Sequence, residues 1–356
     1  MIHNAALAIM AFAALSGCAS IGNPDGGGFD ETPPRITGSS PKNGATGVKT
    51  KKVTIDFNEF IKLENPSEKV VISPPQTEQP EIKVTGKKIQ VELFDSLKPN
   101  TTYSIYFGSA IQDLNEKNPL QDYTFVFSTG ESIDSLTISG RVWFAYDTKP
   151  AVGTTVGLHP VDAPDSVHYH RPFLRIARTD TTGRFVISNV KEGQYRIFAL
   201  QDSNRTYTYE RNEPFAFIDS VITAPASDLQ LRLFVENRSD TLFLPRDTAD
   251  STATASLRVQ LVPFHPQAIL QLLTDRDRPV RALWADSNGI LFDSIRGGTY
   301  RLRMIMDTNH DSLWTTGDYL LRRQPEWVYF FPKTLRIRDN WDFEETFRWQ
   351  DETPHP

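Results

Sequence analysis

The sequence predicts an all-β protein: tandem antiparallel β-sandwiches behind a signal peptide and a flexible tether. Three observations predict it. Apolar residues recur at every second position in run after run, as in Val53, Ile55, Phe57 and in Tyr123, Phe125, Phe127, with polar residues between them. Each such run makes a strand with one wet face and one dry face. Pro, Gly and Asn punctuate the runs, as tight turns require. Finally, one set of turn and strand residues recurs later in the chain at fixed offsets, the mark of a duplicated unit.

The 356 residues suffice for two or three domains of ordinary size. The net charge of -6 is modest and Lys and Arg are scattered, so the charge pattern points to no nucleic-acid partner. Cys18 is the only cysteine, so no disulfide can form within the chain and its sandwiches rest on core burial.

Taken in order, the chain starts with an apolar run, Ala5 to Ala14, that is too short to span a bilayer and reads as the core of a signal peptide. Leu15-Ser16-Gly17 then place small residues ahead of Cys18. This arrangement resembles the lipobox of bacterial lipoproteins. The resemblance implies that residues 1–17 are removed and that the Cys18 thiol is acylated, which gives lasting anchorage because several acyl chains share one residue. Residues 18–33 form the lipidated cysteine and tether: Gly26-Gly27-Gly28 and the neighbouring Pro and Asp residues cannot bury apolar area. The expected location is the outer membrane, facing either periplasm or cell surface.

The first domain is expected over residues 34–130. Its strands carry Val53, Ile55, Phe57; Ile89, Val91, Leu93; Tyr103, Ile105, Phe107; and Tyr123, Phe125, Phe127. Leu97 to Tyr103 places a Tyr at a strand entrance, where its hydroxyl can return to the backbone as a tyrosine corner. Pro33-Pro34-Arg35-Ile36, Ser40-Pro41-Lys42-Asn43-Gly44-Ala45, Val53 to Glu59 and Phe125 to Gly130 resemble the bacterial Ig-like domain first described in S-layer proteins. That family serves as spacer and interaction modules, and no catalytic residue carries over.

The second domain is expected over residues 133–236. Leu136 to Val142, Thr179-Asp180-Thr181-Thr182-Gly183-Arg184-Phe185 and Val190 to Ile197 resemble the carboxypeptidase regulatory-like, or prealbumin-like (transthyretin-like), β-sandwich. That family name describes an accessory domain, and the peptidase's zinc ligands have no counterpart here. A Ser-, Thr- and Asp-rich linker is expected over 237–255, mobile or loosely packed. Residues 256–349 repeat the second domain's pattern: Asp180, Gly183, Phe185, Gly193, Tyr195, Asp202 and Asn204 recur as Asp286, Gly289, Leu291, Gly298, Tyr300, Asp307 and Asn309, with one residue deleted between the two main glycines. They predict a divergent second prealbumin-like sandwich, followed by a tail over 350–356. The whole order resembles Ig-like-domain lipoproteins of Gram-negative bacteria whose cellular role is poorly defined.

One loop carries candidate chemistry. Asp307, Asn309, Asp311 and Asp318 stand at positions 1, 3, 5 and 12 of a run in which Leu313 offers its carbonyl from position 7, the spacing by which a short loop wraps calcium. Ser312 replaces the usual Gly at position 6, and Asp318 is shorter than the usual Glu. The second domain keeps an echo in Asp202, Asn204 and Glu213, with Thr206 at position 5. The alternative is an Asx-rich loop that holds no ion. His168 and His170, with His159 nearby, could share a zinc or copper ion if they lay on one strand face, although solvated surface histidines fit the same residues. Ser109 lies in no nucleophile-elbow context, and no catalytic group stands out. Trp314, Trp327, Tyr329, Phe330, Phe331 and Trp341 are expected mostly in the core, or as a binding patch if exposed together.

The functional expectation is a lipid-anchored, non-enzymatic envelope protein with structural or binding roles, its partners being the membrane and an envelope protein or glycan. The alternative is a glycan-binding or accessory subunit of a carbohydrate-active or peptidase system, with its ligand in the C-terminal sandwich. An enzyme in its own right is the third class, and it would need a cleft of converging carboxylates or histidines.

Overall fold

The computed structural model describes residues 31–236, 239–241 and 253–349; Cys18, most of the tether, most of the linker and the 350–356 tail lie outside the described residues. Within them the chain is all-β, and it is built as tandem sandwiches whose sheets are mostly antiparallel.

The first sandwich contains β1 (Ile36–Ser40), β2 (Lys52–Phe57), β3 (Ile61–Leu63), β4 (Val71–Ser73), β5 (Glu81–Thr85), β6 (Lys88–Glu92), β7 (Thr102–Gly108), β8 (Ile111–Asp113) and β9 (Tyr123–Ser128), with one helical turn, α1 (Pro66–Lys69), after β3. A four-stranded sheet, β1-β2-β6-β5, faces a three-stranded one, β4-β7-β9, and β3 pairs with β8. The alternating residues fill the space between: Val53, Ile55, Ile89, Val91, Ile105, Phe125 and Phe127 are all fully buried. Each such side chain contributes about 2 kcal/mol by leaving water. Tyr103 stacks on Phe127 at 5.1 Å, and its phenol oxygen accepts the Lys98 amide at 2.8 Å, closing the corner. The outer edge of β9 is covered by Gly44 to Val48, whose main chain bonds Val126 and Ser128, so that edge offers no open ladder.

The second sandwich contains β10 (Leu136–Phe144), β11 (Thr155–Pro160), β12 (Arg175–Arg178), β13 (Arg184–Val190), β14 (Gln194–Leu200), β15 (Phe215–Phe217), β16 (Ile222–Thr223) and β17 (Ala226–Leu233), with a short helix α2 (Val167–His170) between β11 and β12. A short strand, β18 (Ser239–Thr241), follows. The third contains β19 (Ala255–Val262), β20 (Ala268–Thr274), β21 (Pro279–Trp284), β22 (Ile290–Ile295), β23 (Gly298–Met306), β24 (Leu313–Thr315), β25 (Val328–Phe330), β26 (Leu335–Ile337) and β27 (Asp342–Arg348).

These two sandwiches share one topology. The three-stranded sheets run β13-β10-β17 and β22-β19-β27, and in each the last strand lies parallel to the first. The larger sheets run β12-β11-β14-β15 and β21-β20-β23-β25, with β16 and β26 added to the central strand in each case. Matching residues do matching work. Asp180 accepts the Thr182 amide at 2.7 Å and Asp286 the Asn288 amide at 2.7 Å, each tightening the turn before a strand. The Tyr195 hydroxyl donates to Lys191 O at 2.8 Å, and Tyr300 to Arg296 O at 3.0 Å. Gly183 is required at φ +76, because a Cβ there would also meet Val142 O at 2.4 Å.

The sandwiches are joined by buried contacts. Between the first and second, Arg175 is almost fully buried and donates to Ser73 O at 3.0 Å, Thr102 O at 2.6 Å and the Asn189 carbonyl. Edge strands β4 and β12 also meet, with the Ile176 amide donating to Ser73 Oγ at 3.1 Å. Between the second and third, the outer faces of the two larger sheets enclose one aromatic cluster that includes Phe198, Phe215, Phe217, Trp314 and Tyr319. This explains why Ala268 to Leu273 reads as a nearly unbroken apolar run. Ala268, Leu270 and Leu272 face the third core, and Ile269 faces the shared cluster.

Within the stretch expected as a mobile or loosely packed linker, β18 pairs antiparallel with β24.

Candidate functional site

The loop after β23 is built by Asp307. Its buried carboxylate accepts the Asp311 amide at 3.3 Å and the Ser312 amide at 2.9 Å, which folds the chain back through His310 and Ser312, both at positive φ. Asp311 in turn accepts the Leu313 amide at 2.7 Å and the Asn309 side-chain amide at 2.9 Å. Asp318 stands apart from these residues and caps its own turn, accepting the Leu321 amide at 3.0 Å while its main chain pairs with Arg323. The second sandwich uses Asp202 in the same way, on the Thr206 amide at 3.2 Å and the Tyr207 amide at 2.9 Å. Among the described residues no group of three or more His, Cys, Asp or Glu is gathered as a metal set.

This loop starts an arm, residues 307–327, that lies over the second sandwich. Glu326 ties the arm's two ends by accepting the Thr308 amide at 2.7 Å and the Thr315 amide at 2.9 Å, and burial pushes its carboxyl up from the usual range. Gly317 is needed because a Cβ would sit 2.5 Å from the Phe234 ring. Glu236 accepts both the Tyr319 amide at 3.0 Å and the Tyr209 hydroxyl at 2.9 Å. Arg232 donates to Pro325 O at 2.8 Å with its guanidinium 3.6 Å from the Trp327 ring centre. Burial lowers that guanidinium to about 10, and it stays charged at neutral pH.

The three histidines are not arranged as ligands of one ion. His168 lies on α2, fully buried among Tyr169, Phe198, Phe215 and Tyr319, and neither ring nitrogen has a hydrogen-bond partner. His170, on the same short helix, is exposed. His159 is buried against Phe173 and Phe198, and its Nε2 is also unpartnered. Of the C-terminal aromatics, Trp314, Tyr329 and Phe331 are buried and Trp341 is 56% exposed, so they form no surface row.

A site that sequence reading missed lies between the first two sandwiches, in a cleft of about 430 Å³ lined by Val70, Ile72, Gln76, Arg178, Arg205 and Tyr207 among others. Arg178 ends β12 and donates to Glu68 O at 2.5 Å, while its buried Nε has no partner. Burial lowers its guanidinium from the ordinary value, and nearby Arg205 acts in the same direction. The Asp202 turn holds Arg205 and Tyr207 at positive φ. The only signal in the sequence was the Asp202 repeat, which marked the turn but not its neighbours across the junction.

No curated protein matches the chain. Among solved structures, the N-terminal part of the bacterial S-layer protein SbsC shares 13% identity over 55% of this chain and 45% of that one, at a TM-score of 0.21. The Bacillus anthracis TIE protein shares 10% identity over 88% and 57%, at 0.19. BcpA, the major pilin subunit of Bacillus cereus, shares 12% over 56% and 70%, at 0.18. The chain therefore spans about half the length of the first two, and likenesses this distant carry no functional argument. The first sandwich carries the bacterial Ig-like domain, whose family model matches residues 30–129.

Proposed function

We propose that this is a lipid-anchored, non-enzymatic protein of the cell envelope, held in the outer membrane through Cys18, that serves as a structural or adhesive scaffold. The observation that carries the reading is the pair of junctions braced by buried contacts. Arg175 and the shared aromatic cluster fix the spacing of consecutive sandwiches, as a spacer that presents a surface at a set position requires. The bacterial Ig-like match supports the same reading. The common strand order of the second and third sandwiches supports their being prealbumin-like modules.

Fractionation tests the anchor. The wild-type chain should partition with outer membranes and Cys18→Ala should not; a Cys18→Ala variant that still sediments with membranes would defeat this reading. Crosslinking in intact cells, followed by isolation of the tagged chain, should then recover an envelope partner.

A second reading, glycan binding, is favoured by the cleft between the first two sandwiches rather than by the C-terminal sandwich.

A further inference from the structure

The cleft between the first and second sandwiches holds positive charge that no carboxylate of the described residues pairs with. Arg178 and Arg205 both line it, and among the described residues neither forms an ion pair with a carboxylate. The acids acting on Arg178 are Asp202 and Glu68. Asp202 is engaged by two backbone amides, and Glu68 meets Arg178 through its carbonyl rather than its carboxylate. Arg178 spends one donor on the Glu68 carbonyl, and no carboxylate pairs with the rest of its guanidinium or with that of Arg205, so the cleft keeps a positive wall that an acidic group could meet.

The remaining lining says what kind of acceptor. Val70, Ile72 and Ile82 make an apolar wall, Tyr207 adds a ring, and Gln76 and Asn204 add amides that can both give and accept hydrogen bonds. A bare inorganic anion would leave the apolar wall uncovered, and a hydrocarbon acid would leave the amides unpaired. A cavity of about 430 Å³ lies within the ordinary range for small ligands. A planar guanidinium matches a carboxylate with two parallel bonds, and sugar hydroxyls suit side-chain amides while a sugar ring packs on an aromatic one. The positive-φ backbone at Arg205 and Tyr207, braced by Asp202, holds these groups in place before any ligand arrives.

We propose that this cleft binds a carboxylated sugar, with the acid group on Arg178 and Arg205 and the ring against Tyr207 and the apolar wall. The proposal rests on the glycan-binding reading and is independent of the lipid anchor, so fractionation of Cys18→Ala and the binding experiment can fail separately.

Calorimetric titration of the full chain in detergent tests it, with digalacturonate, its neutral galactose counterpart and acetate as probes. Digalacturonate should bind saturably, at least about tenfold tighter than either other probe, and more weakly as salt rises. Arg205→Gln, at a partly exposed position, should weaken binding about tenfold to a hundredfold with an unchanged melting temperature. Arg178→Gln should do the same, and its melting temperature reports separately on the junction. Absence of digalacturonate binding, equal binding of the neutral disaccharide or of acetate, or full binding by Arg205→Gln would each overturn the proposal.

Discussion

The phenol of Tyr319 stands edge-on to the imidazole of His168, with ring centres 4.4 Å apart and planes at 69°. One ring belongs to the arm of the third sandwich and the other to a four-residue helix of the second, so their contact ties the two together across a buried imidazole. Arg322 stacks on Tyr319 and pairs with Asp165, which faces His168 from its own loop.

That contact predicts acid lability. Burial first, and the neighbouring His159 next, push His168 down to about 4 against the opposing pull of Asp165; burial and Arg196 push His159 to about 4. Both are neutral when folded, whereas the unfolded chain takes up protons near pH 6.5. Stability is therefore complete above that value and falls as pH drops toward 4, by about 3 kcal/mol per histidine at the lower end. Melting temperature against pH should show this decline, and His168→Phe, which keeps an aromatic ring in the cage, should flatten part of it.

Removing Arg175 should uncouple the first sandwich from the second. Arg175→Ala leaves the Ser73, Thr102 and Asn189 carbonyls without their donor, at a cost of about 3 kcal/mol. Calorimetry should resolve a separate, earlier transition for the first sandwich in this variant.

The two tyrosine hydroxyls at equivalent turns should be equivalent in energy. Tyr195→Phe and Tyr300→Phe each delete one hydrogen bond to a carbonyl four residues back and should each cost about 1 kcal/mol in denaturant unfolding.

The Asp307 loop makes an opposed pair of outcomes. Because its carboxylate already serves the Asp311 and Ser312 amides, Asp307→Ala should destabilise the chain by about 2 kcal/mol whether or not calcium is present, and a chelator should leave the wild-type melt unchanged. A chelator-sensitive melt that Asp307→Ala abolishes would instead establish calcium binding there.

By itself the sequence determined what is local. Val53, Ile55 and Phe57 alternate because a strand presents successive side chains to opposite faces, so their burial was legible without knowing what covers them. The recurrence of Asp180 and Tyr195 as Asp286 and Tyr300 was legible for the same reason, since each builds a turn from residues a few positions away. Asp202 and Asp307 belong here too, although their spacing equally suited an ion, and only the direction of their hydrogen bonds shows the amides they serve.

Tertiary structure decided what lies between elements. Arg175 finds its acceptors 102 and 73 residues upstream, and nothing in Leu174-Arg175-Ile176 marks them. His168 looked like a surface histidine because a four-residue helix has no periodicity to read, and its cage is assembled from both of the later sandwiches. Arg178 and Arg205 meet the wall of Val70, Ile72 and Gln76 only because edge strands β4 and β12 abut. Hydrophobic alternation says that a face is dry; it is silent on which neighbour dries it, because burial is non-directional and the partner is chosen by shape over long stretches of chain.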